Sequence, residues 1–398
     1  MAEVVSFSAQ VNGRYGEWVD RLRPGWARVD LTRLAENYRA VTAHAPVPLM
    51  PVVKADAYGH GAARVTRWLE SLGAPLFAVA YPEEGIALRR AGVRAPIVVM
   101  AGFGPGQEAL LAPHELTAVV STAQTLAGVI AAARVVTQPL PVHLKVDTGM
   151  TRLGFLPGEL AGVAARLLET GRVEITGLMT HLATADEDAD FTREQLDRFD
   201  EAVSDLAGRG VRPRWIHAAS SAGLAYLRPT HTLARPGLLL YGLRPRPFAP
   251  DIPVRPVMSL RARISALKEI AAGTTVSYGR RWLASRASRI ATVPLGYADG
   301  VPRTQAMEQR GQLSVGGRRV PVAGPVCMDL TMLDVTDHPG VSDGDEVIVF
   351  GEDPTAWDVA EWAGTTVWQV LTGVGLRVPR AYVEDDAIVG VESPYLGQ

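Results

Sequence analysis

Cysteine is almost missing from this chain: 398 residues contain one, Cys327. A single thiol excludes an intramolecular disulfide and any site built from several thiolates, and it suits a reducing cytoplasm. With no evident local activator, Cys327 reads as a small buried residue rather than a nucleophile. A charge excess is missing too. Charged residues make up 21% and the formal net charge is −2, so there is neither the basic footprint of a nucleic-acid binder nor an acidic solvating tail. No apolar run approaches the roughly 20 residues needed for a membrane span. The stretch from Met1 to Trp26 lacks a basic segment followed by a continuous apolar one, so no export is expected. A lysine-bearing glycine loop of the nucleotide-binding kind is also absent, which argues against an ATPase. No repeat or low-complexity segment occurs. What is left points to small-molecule chemistry by an ordinary globular chain, long enough for two domains.

From Trp26 to about Tyr241 short apolar runs alternate with amphipathic stretches, the rhythm of β/α units. Candidate strands are 49–53, 76–79, 97–101, 118–120, 142–146, 175–180, 215–218 and 238–241. Eight of them suggest a closed barrel, with an open doubly wound sheet as the alternative. Candidate helices such as 82–91 and 193–209 set leucine, alanine and valine opposite charged residues, as an outer layer requires. Prolines 245, 247, 250, 253 and 256 then read as a stiff connection. Beyond it, alternating segments 259–265, 289–293, 312–315 and 346–349 between glycine turns indicate a β-rich domain. The fold expected is α/β: a (β/α)8 TIM barrel followed by a C-terminal β-rich domain. The divisions expected are an N-terminal extension over 1–22, the barrel over 23–252 and the β domain over 253–398, with 26–30 a candidate to pair with the latter.

Within this frame Lys54 stands out. It ends the run Leu49-Met50-Pro51-Val52-Val53 and opens Lys-Ala-Asp-Ala-Tyr-Gly-His-Gly. A lysine at the carboxyl end of a barrel strand sits where ligands bind. Desolvation there makes a neutral, nucleophilic amine available, which suits Schiff-base chemistry. The bland reading is a surface lysine with its stem snorkelling. The string Val52-Val53-Lys54-Ala55-Asp56-Ala57-Tyr58-Gly59-His60-Gly61 resembles the pyridoxal-phosphate attachment motif of alanine racemases, and further segments similar to that family follow in order along nearly the whole chain. The resemblance implies pyridoxal 5'-phosphate on Lys54, with Tyr58 also at the cofactor.

The remaining candidates fall just after strands, at the same mouth of the expected barrel. Singly each has a structural explanation: an arginine pairs in salt bridges, and a histidine or tyrosine fills a core. In His143-Leu144-Lys145-Val146-Asp147-Thr148-Gly149-Met150-Thr151-Arg152 the resemblance makes Arg152 the ligand of the cofactor's phenolic oxygen and of the substrate carboxylate, a task for a planar, permanently charged fork. Lys145 matches a position that can be carbamylated. Thr180-His181-Leu182 resembles the segment that lays an imidazole on the cofactor ring. Ser221, in Trp215-Ile216-His217-Ala218-Ala219-Ser220-Ser221, matches a phosphate ligand. In Leu233-Ala234-Arg235-Pro236-Gly237-Leu238, Arg235 would meet the pyridine nitrogen and the amides of Gly237 and Leu238 the phosphate.

In the second domain, Val276-Ser277-Tyr278-Gly279 resembles the segment bearing the opposing base, supplied in similar enzymes by the partner subunit. Racemisation needs two bases, because a proton removed from one face must be returned to the other. Met328, in Gly324-Pro325-Val326-Cys327-Met328-Asp329, matches the amide that meets the substrate carboxylate. Tyr297 and Arg303 match the entrance channel. Two departures stand out: Trp368 occupies a position where the family usually has a phosphate-binding tyrosine, and Ser220 one where it usually has asparagine. The resemblance implies a cytoplasmic homodimer with shared active sites that interconverts L- and D-alanine for peptidoglycan, without metal, nucleic acid or membrane. A broader-specificity racemase, a decarboxylase and a non-catalytic cofactor carrier are the alternatives. The first is often exported and disulfide-bearing, the second would have a glycine-triplet phosphate loop, and carriers lack a second domain.

Overall fold

The computed structural model describes residues 23–247 and 251–394. The expected extension over 1–22 and Pro250 of the proline-rich connection lie outside the described residues. The chain divides into two compact units, one of Ala35–Ala57 and Ala62–Val254, the other of the chain up to Leu34, Tyr58–Gly61 and everything from Arg255. Among the described residues no helix is long and apolar enough to cross a membrane.

The first unit is built on six parallel strands in chain order: Phe77–Val79, Ile97–Val99, Leu116–Val120, Leu140–Lys145, Val173–Met179 and Trp215–His217. Strands covered on both faces need apolar residues throughout, and Phe77–Val79, Ile97–Val99 and Leu116–Val120 are buried at every position. The helices between them bury one stripe each. Ala189–Gly208 buries Leu196, Phe199 and Leu206, and it begins at Asp188, whose carboxylate accepts the amides of Asp190 and Phe191 at 3.0 Å.

Two irregular segments continue the hydrogen bonding between the edges of this sheet. Residues 49–53 form no regular strand, since Pro51 has no N–H to give. They pair through isolated parallel bridges, Val52 with Ala78 and Leu49 with Ala234. On the far side Met50 donates to Ala234 O at 2.8 Å and Val52 to Pro236 O at 3.0 Å, while Thr232 donates to Ile216 O at 2.9 Å. The eighth position of the barrel is therefore taken by residues 232–236. This corrects the expectation of a strand over 238–241. Those residues turn instead, with Leu240 donating to Gly237 O and Tyr241 to Leu238 O. Their apolarity reflects a buried turn: Leu238, Leu239, Leu240 and Tyr241 are all in the core, and the Tyr241 hydroxyl donates to Val52 O at 2.9 Å.

In the other unit a seven-stranded sheet runs Arg318–Pro321, Gln312–Val315, Glu346–Phe350, Met258–Arg263, Gly25–Asp30, Arg380–Glu384, Ala387–Glu392. Gly25–Asp30 lies antiparallel to Met258–Arg263 and parallel to Arg380–Glu384. Its Trp26 packs with Ala381, Val383, Ile388 and Val391. A three-stranded sheet of Thr331–Asp334, Ser288–Val293 and Ala266–Ile270 completes the unit's β structure, with the short hairpin Thr275–Val276 and Trp282–Leu283 beside Tyr278.

Candidate active site

Lys54 begins the helical turn Lys54–Gly59, and that turn is left-handed. Ala55, Asp56, Ala57 and Tyr58 have φ of 52°, 55°, 53° and 54°. Four successive non-glycine residues in this region cost about 1–2 kcal/mol each. The turn is held at its exit by Asp56, whose carboxylate accepts the Ala62 amide at 2.7 Å. Burial lowers the pKa of the Lys54 amine, Arg152 and Arg235 add to the lowering, and Glu84 opposes it.

Lys145 closes the strand Leu140–Lys145 and is buried. Burial, followed by the charges of Arg152 and Arg235, brings its amine down to about 8, with Asp147 acting in the opposite direction. Asp147 also shapes the loop that follows: one carboxylate oxygen accepts the amides of Gly149, Met150 and Thr151 at 2.9 to 3.0 Å. The chain then returns, with Phe155 donating to Lys145 O at 2.9 Å. Arg152 lies on this loop, exposed, and its guanidinium makes no hydrogen bond among the described residues.

Arg235 is the opposite case, a buried guanidinium with almost every donor committed. Nη1 donates to His217 Nδ1 and to His217 O, both at 2.8 Å. Nη2 donates to the carbonyls of Thr180 and Ala218 at 2.9 Å and meets His181 Nδ1 at 3.3 Å. Only the Nε–H has no partner among the described residues. Burial lowers its pKa to about 10, still well above neutrality. A guanidinium can only donate, so His217 Nδ1 must present a lone pair and Nε2 must carry the proton. That Nε2 lies 3.0 Å from His143 Nδ1, which must therefore accept. Two neutral imidazoles in defined tautomers back the arginine. Burial first and Arg235 second hold His143 at about 3 and His217 well below the ordinary histidine value. His181 is held well below that value too, by burial and then by Arg235, Lys145, Arg152 and Lys54.

His143 and His217 carried no assigned role in the sequence reading, although a signal existed. His143 and Lys145 alternate on one strand and so share a face. Space for the His143 ring comes from the next strand, where Gly177 pairs opposite it. A Cβ at Gly177 would lie 2.6 Å from His143 Nδ1, and closer still to Cγ and Cδ2.

Ser221 is buried, and its Oγ accepts the amides of Gly237 at 3.0 Å and Leu239 at 3.2 Å. Both lone pairs are thus used, which leaves the hydroxyl proton to donate. The Gly237 amide is engaged by Ser221, and the Leu238 amide makes no hydrogen bond among the described residues. The barrel unit therefore brings together Lys54, Lys145, Arg152, His181, Ser221, Arg235, Gly237 and Leu238.

The other candidates lie in the second unit. Ser277, beside Tyr278, donates to Pro325 O at 2.6 Å; Tyr297 donates its amide to Cys327 O at 3.0 Å, and Ala298 donates to Met328 O at 3.1 Å. These bonds stitch three loops together. Below them the fully buried Asp299 takes Arg23 at 2.7 Å and Arg377 at 2.8 Å. Arg303 stands 5.3 Å over the Tyr297 ring. Tyr278 is 63% exposed and Met328 52%. Trp368 lies edge-on to Trp357 at 6.2 Å. The Tyr58 phenol is buried, which raises its pKa to about 12.

Comparison with known proteins gives a consistent result. Residues 29–245 match the family model for the alanine racemase N-terminal domain, and residues 257–382 that for the alanine racemase C-terminal domain. The alanine racemase of Sorangium cellulosum is 44% identical over 384 residues, covering 91% of this chain and 100% of the relative. That of Halothermothrix orenii is 41% identical over 369 residues, covering 90% and 97%. Among solved structures, Clostridium difficile 630 alanine racemase superposes with a TM-score of 0.88 at 32% identity, covering 94% of this chain and 99% of that one. The Bacillus anthracis alanine racemase with bound L-Ala-P gives 0.85 at 32% identity, covering 93% and 98%.

Proposed function

The chain belongs to the alanine racemase family, and its activity is accordingly the interconversion of L- and D-alanine; we propose that it works through pyridoxal 5'-phosphate on Lys54, with Tyr278 of a second copy as the opposing base. The donor set fits that cofactor. Lys54 offers a desolvated amine, Ser221 a hydroxyl proton, Leu238 an amide unpaired among the described residues and Arg235 one remaining N–H, beside the positive charges of Arg152 and Arg235. Such a set suits an anionic phosphate, a phenolic oxygen and a ring nitrogen. When bound, the cofactor supplies an electron sink that acidifies the substrate Cα–H.

The chain's own residues do the rest. Arg152, unengaged and permanently charged, orients the substrate carboxylate. Arg235 keeps its proton at neutral pH and can only donate, so it would leave a ring nitrogen facing it unprotonated, a setting that would favour returning the proton over transamination. Lys54 Nζ exchanges the Cα proton of the D enantiomer and Tyr278 Oη that of the L enantiomer. Lys145, with its amine near 8, is neutral often enough to bond carbon dioxide, releasing a proton and placing an anion beside Arg152. A homodimer with shared active sites is supported by the exposure of Tyr278 and Met328. The proposal includes a cytoplasmic enzyme supplying D-alanine for peptidoglycan.

The observation that carries this reading is the convergence of Lys54, Arg152, His181, Ser221 and Arg235 within one unit. The test is Cα deuterium uptake and chirality in heavy water, with L- and D-alanine and larger amino acids. Rapid uptake with racemisation confined to alanine is expected, with racemisation reduced about 10²–10⁴-fold in Tyr278→Phe while D-alanine still exchanges. Equal rates on larger substrates would favour a broad racemase, and no uptake would refute the reading.

A further inference from the structure

Glu84 is the third residue of the helix Pro82–Arg90, a place from which a glutamate commonly reaches back to the amide at the start of its own helix. It does this with one oxygen: Oε2 accepts from Ala80 at 2.6 Å and from Tyr81 at 3.2 Å. The other oxygen serves a different strand end, where Oε1 accepts the amide of Ala55 at 2.7 Å. Ala55 follows Lys54 directly and is the first residue of the left-handed turn. A carboxylate bond of this kind is stronger than one between neutral groups. It grips the turn at its entry, as Asp56 does at its exit through Ala62.

We propose that Glu84 is a positioning residue for Lys54: its carboxylate anchors the entry of the strained lysine turn to the neighbouring strand end and sets a negative charge against the cations around the amine. This rests on Lys54 being the reacting amine. The charges acting on that amine come from four elements. Arg152 belongs to the loop after Leu140–Lys145, Lys145 to that strand, Arg235 to residues 232–236, and Glu84 to the helix. Glu84 is the acidic member, and it acts against the lowering by burial and the two arginines. Helix capping alone would need neither the bond to Ala55 nor any effect on Lys54.

The test uses full-length protein without cofactor and trinitrobenzenesulfonate as the amine probe, with Lys54 modification followed by peptide mass across pH. Hydrogen–deuterium exchange of the segment containing Ala55 is measured alongside. In Glu84→Gln the Lys54 pKa should fall, raising the modification rate at neutral pH about two- to five-fold, and exchange at Ala55 should accelerate about tenfold or more. Glu84→Asp keeps the charge but shortens the reach, so exchange should accelerate with little change in Lys54 titration. Glu70 makes a similar tie elsewhere, accepting the amides of Arg94 at 2.8 Å and Ala95 at 2.7 Å, and Glu70→Gln should alter neither readout. Wild-type titration and exchange in Glu84→Gln would overturn the proposal; should that variant not fold, unchanged exchange in Glu84→Asp would do so. The probe reads the amine itself. Failure of the cofactor reading, seen as no borohydride-fixed pyridoxal phosphate on Lys54, is therefore a separate result.

Discussion

Gly177→Ala should damage the barrel far more than an added methyl group suggests. The new Cβ would lie 2.6 Å from His143 Nδ1 and nearer still to two ring carbons. Gly177 pairs with His143 on one side, just past a register shift in that ladder, and with Trp215 on the other, so a retreat of the backbone would disturb two ladders. The imidazole must move. Overpacking of this kind costs about 1–3 kcal/mol. The displaced Nδ1 is also the acceptor of His217 Nε2–H at 3.0 Å, and leaving that buried donor unpaired adds about 1–3 kcal/mol. The sum, about 2–6 kcal/mol, corresponds to roughly 4–24 °C in the barrel's melting temperature. Calorimetry reads the loss. Imidazole nitrogen shifts in labelled protein should show His217 leaving its single tautomer, and cofactor affinity should fall as Arg235 loses its backing. Gly162, on the helix Leu160–Leu168, has open space where a Cβ would stand. Gly162→Ala should therefore be neutral or stabilise by about 0.5–1 kcal/mol. A Gly177→Ala protein as stable as Gly162→Ala, with His217 shifts unchanged, would refute the tautomer chain.

The buried Lys145 amine is brought down to about 8 from an ordinary 10.5, so the unfolded chain binds its proton more tightly. The cost, about 3 kcal/mol, is fully present below pH 8 and disappears as pH rises toward 10.5. Lys145→Met should thus raise stability at pH 7 in carbon-dioxide-free buffer and flatten the rise between pH 8 and 10.5, both measurable by urea denaturation. Ser221→Ala leaves the amides of Gly237 and Leu239 without their acceptor; a loss of about 1–3 kcal/mol and at least about tenfold weaker cofactor binding are expected by denaturation and fluorescence titration. Trp368→Tyr should tighten cofactor binding, and an unchanged dissociation constant would count against a phosphate role for position 368.

Much of the barrel could be read from alternation and burial, because parallel strands such as Ile97–Val99 and Leu116–Val120 are apolar for a single reason. The eighth position could not. An apolar run looks the same whether it pairs in a ladder or folds into a buried turn, and Leu238 to Tyr241 do the latter while the less apolar residues 232–236 pair. The left-handed turn was equally hidden, since Ala55 and Ala57 have no preference for positive φ and the Ala55 amide is tied to Glu84, distant in sequence. Motif resemblance identified residues with polar groups free to meet a ligand, such as Arg152 and Ser221. It was silent on the supports: His143, His217 and Gly177 act by what they offer a neighbour, and that depends on strand register.

The seven-stranded sheet bears on how the protein is made. Its central neighbours, Gly25–Asp30 and Met258–Arg263, are adjacent in space, yet the whole barrel is threaded between them along the chain. On the ribosome, at about 5–20 residues per second, the first strand waits on the order of ten seconds or more for its antiparallel partner, and longer for Arg380–Glu384 on its other side. For that interval Trp26 has none of the packing it later receives from Ala381, Val383 and Ile388. The barrel can close during the wait, since its own ladder needs nothing beyond residue 254. A circular permutant that moved Gly25–Asp30 to follow the C-terminal strands would remove that strand's wait, and should aggregate less during synthesis than the natural order.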